Sequence, residues 1–150
     1  MRNLISFAVI VWLLFHSIAL AAPSDWPMWR YDAGRTATSP HDLPDELVLR
    51  WSRKYPQRVQ TWDDPLNNDL MSYDRVFEPI VLGQRLIVGF NDSDKVVCWD
   101  LASGHELWRF YTNGPVRMPP AGHGNDVFVT SDDGHLYCID VDSGDLRWKF

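Results

Sequence analysis

Two groups of residues could in principle do chemistry. The first is a set of carboxylates, Asp92 and Asp94 in NDSD and Asp132 and Asp133 in SDDG. Clustered carboxylates bind calcium, but a calcium loop needs an alternating Asp-x-Asp-x-Asp-Gly run and a distal bidentate Glu, which neither segment has. Aspartate is also a common turn residue, because its carboxylate binds backbone amides two residues on. The four therefore read as solvated turn residues. The second group is His105, His123 and His135, which lie in or beside turns with no serine or cysteine at a triad-like position. Cys98 and Cys138 come with no C-x-x-C pair and no histidine pair at zinc spacing. No catalytic residue and no metal ligand is expected. Arg117 is a candidate for facing a channel, although one arginine is slender ground for anion binding.

The elements that must position these residues recur. VVCWDLASGHELWRF (residues 96–110) returns as LYCIDVDSGDLRWKF (residues 136–150), with Cys98 on Cys138, Asp100 on Asp140, Gly104 on Gly144 and Trp108 on Trp148, a constant offset of forty. Upstream, Val76 on Val116, Pro79 on Pro119 and Asp92 on Asp132 continue that offset without a gap. A period near forty means either paired helices or four-stranded blades. RLIVGF, KVVCWD, DVFVT and HLYCID are β-branched and aromatic with no three-four spacing, so the choice falls on strands. Gly134 stands where a tight hairpin needs a positive φ. ELWRF and DLRWKF supply a third strand, and VFEPIVL and VRMPPAG a fourth, whose prolines cannot donate to a ladder and so belong on a sheet edge. Cysteines at one strand position of successive sheets lie roughly 10 Å apart. That exceeds the ~7 Å limit for bridging, so both are expected to be free.

The chain has 150 residues, ten prolines, nine glycines and a formal charge of −6, which becomes −7 without the first 21 residues, since these hold one Arg and no acid. Nucleic acid and anionic membrane are thereby excluded as expected partners. The N-terminus begins with Arg2, runs apolar from Leu4 to Phe15 and closes on Ala19-Leu20-Ala21. This is the pattern of a signal peptide cleaved after Ala21. A retained anchor is the alternative, because the apolar stretch is near spanning length. Lipid attachment is excluded, since no cysteine lies at the cleavage point. The product is expected to be exported, periplasmic or secreted, with no stable membrane insertion after cleavage.

GHLYCIDVDSGDLRWKF resembles the repeat of the pyrroloquinoline-quinone (PQQ) enzyme and PQQ-like propeller superfamily. The first unit departs from the pattern at Asp94 and Lys95, and both units carry cysteine where alanine is usual. DWPMWRYDAGRTATSP is similar to the entry segment of secreted members. The resemblance implies an all-β, PQQ-like β-propeller that is incomplete here, with about two four-stranded blades and a closing strand, ELVLRW (residues 46–51). Residues 1–21 would be the signal peptide, 22–55 the entry segment with that closing strand, 56–75 an inserted loop, 76–115 the first repeat and 116–150 the second. Trp108 and Trp148 would dock on the turns holding Gly104 and Gly144, while Asp100 and Asp140 tie those turns. Trp51, one side of the first blade and one side of the last are expected to expose apolar surface.

Insertions on repeat frameworks emerge as loops where partners bind, so Trp62, Asp63, Asp64 and Tyr73 are the expected partner contacts. The function implied is an exported, non-catalytic binding or assembly scaffold, similar in repeat to the outer-membrane barrel-assembly lipoprotein. Its partner would be a protein or further C-terminal blades. The alternative is the N-terminal part of a larger multidomain secreted enzyme or of a PQQ-dependent quinoprotein dehydrogenase. Those enzymes stack the quinone over a tryptophan beside calcium, a catalytic aspartate and a vicinal disulfide, and this chain has no adjacent cysteines. No cofactor is therefore expected, PQQ with calcium being the alternative.

Overall fold

The computed structural model describes residues 25–55 and 77–150. The expected signal peptide and the loop contacts Trp62, Asp63, Asp64 and Tyr73 lie outside the described residues. Strands β1 (Ile80–Leu82), β2 (Arg85–Phe90), β3 (Lys95–Asp100) and β4 (Glu106–Tyr111) form one antiparallel sheet in that order. Strands β5 (Ala121–His123), β6 (Asp126–Thr130), β7 (Leu136–Asp140) and β8 (Leu146–Lys149) form a second of the same topology. The described residues are all-β, two propeller blades that do not close into a ring. The inner strands β1 and β5 are shorter than the sequence suggests. Pro79 and Pro120 stand immediately before them, where a missing N–H interrupts no ladder.

The blades pack face to face. Ile80, Ile87, Val96, Cys98 and Trp108 of the first meet Val127, Val129, Tyr137 and Ile139 of the second in one buried cluster. Alternation along each strand explains the division, since neighbouring side chains point to opposite sheet faces. The same alternation corrects the gapless offset. Leu101 and Val141, forty apart, donate their amides to Gln84 and Asn125, which are forty-one apart. Gly83 and Gly124, both at positive φ, are likewise forty-one apart. The first blade therefore holds one extra residue within its β2–β3 hairpin, Arg85–Asp100 against Asp126–Asp140 in the second, taken up in longer strands, since its connecting turn, Asn91–Asp94, is the shorter of the two. Ile87 and Val127, superposed by an offset of forty, in fact face each other across the seam.

The expectation of a bare apolar side on the first blade is also corrected. Val88, Phe90, Val97 and Trp99 are buried there. The Tyr55 and Phe77 rings pack on Phe90 at 5.3 and 5.0 Å, and the Arg53 guanidinium stacks on Trp99 at 5.6 Å. Trp51 is half-buried in the same way. Residues 46–51 form no strand among the described elements. Leu47, Val48 and Leu49 are exposed there.

The hairpin tips differ in strain. Gly134 takes φ 86°, as a tight turn requires, whereas Asp94 holds φ 49° with a side chain. Replacing Asp94→Gly removes that conflict and should stabilise the protein by about 0.5–1 kcal/mol, after the entropy glycine adds to the unfolded chain. Urea denaturation at neutral pH checks this, and an unchanged or lowered midpoint would refute it.

Candidate functional site

The seam is built by a turn that both blades repeat. Asp100 Oδ1 accepts the Ser103 amide at 2.7 Å and its hydroxyl at 2.6 Å, and Asp140 Oδ1 accepts the amides of Asp142 and Ser143 at 2.8 and 2.9 Å. Hydrogen bonds to the ionised form favour it. The Ser103 hydroxyl and amide lower the Asp100 pKa, and the Ser143 amide with the Arg147 guanidinium lowers that of Asp140 to about 2. After each turn the ladder slips, between Cys98 and Trp99 and between Cys138 and Ile139. Such a bulge re-aims the following side chain. That side chain is the tryptophan.

The Trp108 indole lies on Gly144, where an added Cβ would come within 2.7 Å of the ring, and its Nε1–H donates to the Val141 carbonyl at 2.9 Å. Trp51 does the same to the first blade. It lies on Gly104, with 2.6 Å left for a Cβ, and donates to Leu101 O at 3.0 Å. Gly104 and Gly144 have φ of +71° and +78°, so these positions need glycine for backbone as well as for space. Trp148 is placed differently. It is 45% exposed, leans on Phe128 at 6.0 Å, and shares its sheet face with exposed Phe150. The second blade thus ends in an aromatic edge.

At the hairpin tips the structure corrects the expectation of four solvated carboxylates. The Asp133 side chain is only 8% exposed. It accepts the Tyr137 hydroxyl and the Asn113 amide on Oδ2, and the His135 amide at 3.0 Å on Oδ1. Burial pushes its pKa up, but the Tyr137 hydroxyl and the amides of His135 and Asn113 outweigh that and hold it well below the usual carboxylate range. Asn113 belongs to the crossover between blades, so this carboxylate clasps the seam. Asp132 pairs with Arg117, which is therefore neutralised rather than free for an anion in a channel. Arg85 of the first blade meets Asp142 of the second at 2.5 Å.

The carboxylates of Asp100, Asp133 and Asp140 are each turned onto neighbouring amides and hydroxyls, and no group of three His, Cys, Asp or Glu converges among the described residues. His105, His123 and His135 are not brought together. His123 ends β5, His135 sits by Asp133, and the His105 carbonyl closes the Asp100 turn. Cys98 and Cys138 are free and buried, and burial pushes the Cys98 thiol up to about 12.

One feature was missed by sequence reasoning. The entry segment is rooted on both inner strands. Trp26 exchanges two backbone hydrogen bonds with Val81, Asp25 accepts the Gly83 amide at 2.8 Å, and the Pro27 carbonyl accepts the Gly122 amide at 2.7 Å. Beyond this root, the guanidiniums of Arg30 and Arg35 lie over the Trp29 ring at 5.6 and 5.1 Å. No spacing rule marks such a cluster. Only the coincidence of Trp and two Arg in one short stretch hinted at it.

Among the described residues no helix is long and apolar enough to cross a membrane. No curated protein matches the chain. Among solved structures, BamB from Moraxella catarrhalis is similar at 24% identity over 45% of this chain and 21% of its own, with a TM-score of 0.42. A europium-containing methanol dehydrogenase is similar at 16% identity over 48% of this chain and 14% of its own, with a TM-score of 0.43. The chain thus spans 21% and 14% of the lengths of these structures. A family model described as outer membrane protein assembly factor BamB matches residues 18–150. With that match covering the repeat, the docking turns and the entry segment, the chain belongs to this family of PQQ-like propeller repeat proteins.

Proposed function

We propose that the chain is an exported, non-catalytic scaffold that binds a protein partner or further blades. The aromatic edge of the second blade carries this reading. Trp148 and the following Phe150 are both exposed and, paired with Cys138 and Leu136, share one sheet face at the outer strand, and exposed apolar surface of this kind marks an interaction surface. The family's description as an assembly factor supports the same role, as do carboxylates that serve turns rather than a common ligand. Export rests on Arg2, the apolar run and Ala19-Leu20-Ala21. Trp62, Asp63, Asp64 and Tyr73 are proposed as further contacts.

The test is calcium-dependent dye reduction by the exported protein, supplied with PQQ and an alcohol, alongside N-terminal sequencing. A scaffold gives no reduction above the protein-free control and a mature chain that starts after Ala21. Dye reduction that needs both quinone and calcium would instead establish the dehydrogenase reading.

A further inference from the structure

We propose that the Trp29, Arg30 and Arg35 cluster of the entry segment is a docking point for an acidic peptide segment of a partner protein. The inference deepens the scaffold reading and rests on it, by naming a partner chemistry and a place for it. Charge is the first argument. Arg85, Arg109, Arg117 and Arg147 each face a carboxylate, whereas among the described residues Arg30 and Arg35 meet only the Trp29 indole. A guanidinium stacked on a ring keeps its in-plane N–H donors directed outward, in the fork that a carboxylate fills bidentately. In a chain of net charge −6, two adjacent guanidiniums without a carboxylate stand out against their surroundings.

The one carboxylate within the loop is held elsewhere. Asp32 accepts the Thr36 amide at 2.9 Å and its hydroxyl at 2.6 Å, on separate oxygens, and the Thr36 hydroxyl and amide lower its pKa. The loop is also held in a conformation that its sequence does not favour. Arg30, Tyr31, Arg35 and Ala37 have φ of 60°, 79°, 54° and 57°, although none is glycine. Such residues persist only where the surroundings fix them. Here the Tyr31 amide donates to Met28 O, the Ala37 amide to Arg30 O and the Arg35 amide to Asp32 O, while the Tyr31 ring meets Trp26 edge-on at 5.2 Å. The result is two guanidiniums, five positions apart in sequence, mounted over one ring, on a segment bonded to both blades. Trp29 is 38% exposed, leaving ring edge to pack against the aliphatic part of a bound side chain. Tryptophan and arginine together make up the usual composition of a binding hot spot.

An anionic membrane would offer the same charge, but it approaches as an extended surface and meets the repulsion of the whole acidic chain. A peptide enters within a Debye length of the two arginines.

Fluorescence anisotropy of a labelled peptide alternating Glu and Ser, titrated with the full exported protein, reads the proposal. The peptide should bind, its Gln counterpart should bind at least about tenfold more weakly, and Arg30→Gln with Arg35→Gln should weaken the Glu peptide about tenfold. Arg30→Lys with Arg35→Lys, which keeps the charge and loses the fork, should fall between. Arg109→Gln should leave binding unchanged, because its partner Glu106 lies on the same strand. Equal binding of the Glu and Gln peptides would overturn the proposal, as would binding indifferent to both double variants. So would absence of binding, or stronger binding to phosphatidylglycerol vesicles at matched charge. Dye reduction with quinone tests the scaffold reading separately, so the two can fail independently.

Discussion

Trp108→Ala should lower the stability of the protein by about 3–5 kcal/mol, the range for deleting a buried aromatic side chain. The indole is 8% exposed, belongs to the cluster that joins the blades, and donates to the Val141 carbonyl. Truncation empties the seam and strips that carbonyl of its donor in one step. Gly144→Ala attacks the same contact from the other side, placing a methyl group 2.7 Å from the indole at a φ of +78°. It should cost about 2–3 kcal/mol. The two losses should not add. Once the indole is gone the methyl has room, so Gly144→Ala in the Trp108→Ala background should cost only its backbone strain, about 1 kcal/mol. Trp148→Ala is the control. At 45% exposure it should cost about 1 kcal/mol or less. Urea midpoints for the four variants decide the matter, and equal losses for Trp108 and Trp148 would disprove the docking assignment.

The second large effect is at Asp133. Asparagine there keeps the shape but replaces one oxygen by an NH2 group, which must face either the Asn113 or the His135 amide donor-to-donor. Hydrogen bonds to a charged acceptor are worth about 1.5–3 kcal/mol, and Asp133→Asn should cost about 2–3 kcal/mol at neutral pH. The pH dependence follows from a folded pKa held below the ordinary aspartate value. The carboxylate contributes its full stability above the unfolded pKa of about 3.9 and loses it as pH falls from there toward the folded pKa. The gap between wild type and Asp133→Asn should therefore be constant from pH 7 to about 5 and narrow below about 4. Denaturation curves across that range check it. A gap that widens on acidification would show that the carboxylate is not the group held in the seam.

How much of this could be read from the chain alone depends on which physics repeats. The strands, the Asp100 and Asp140 turns and the two-sheet organisation were legible because alternating apolar residues, aspartate and glycine each answer a local geometric need. Asp133 was not. Its sequence neighbourhood is that of an exposed turn, and it is buried only because Asn113 and Tyr137 arrive from other elements. The cover on the first blade was hidden for a related reason. Arg53 and Tyr55 lie in a charged stretch, but the Arg53 guanidinium stacks on Trp99 and donates to Gly104 O, while the Tyr55 ring meets Phe90. The extra residue in the β2–β3 hairpin escaped because Pro79 has a proline at both candidate partners, Pro119 and Pro120.

That extra residue decides how the chain could be rebuilt. Averaging the two units position by position at an offset of forty would place Ile87 with Val127, two side chains that look at each other across the seam. The averaged β2 would have its alternation inverted relative to β3, with Leu86, Val88 and Phe90 turned toward the wrong neighbour. Recombination between units preserves the alternation only when the crossover respects the Asn91–Asp94 hairpin, so β1 and β2 travel as one cassette and β3 and β4 as another. The natural unit of exchange in this protein is therefore half a blade.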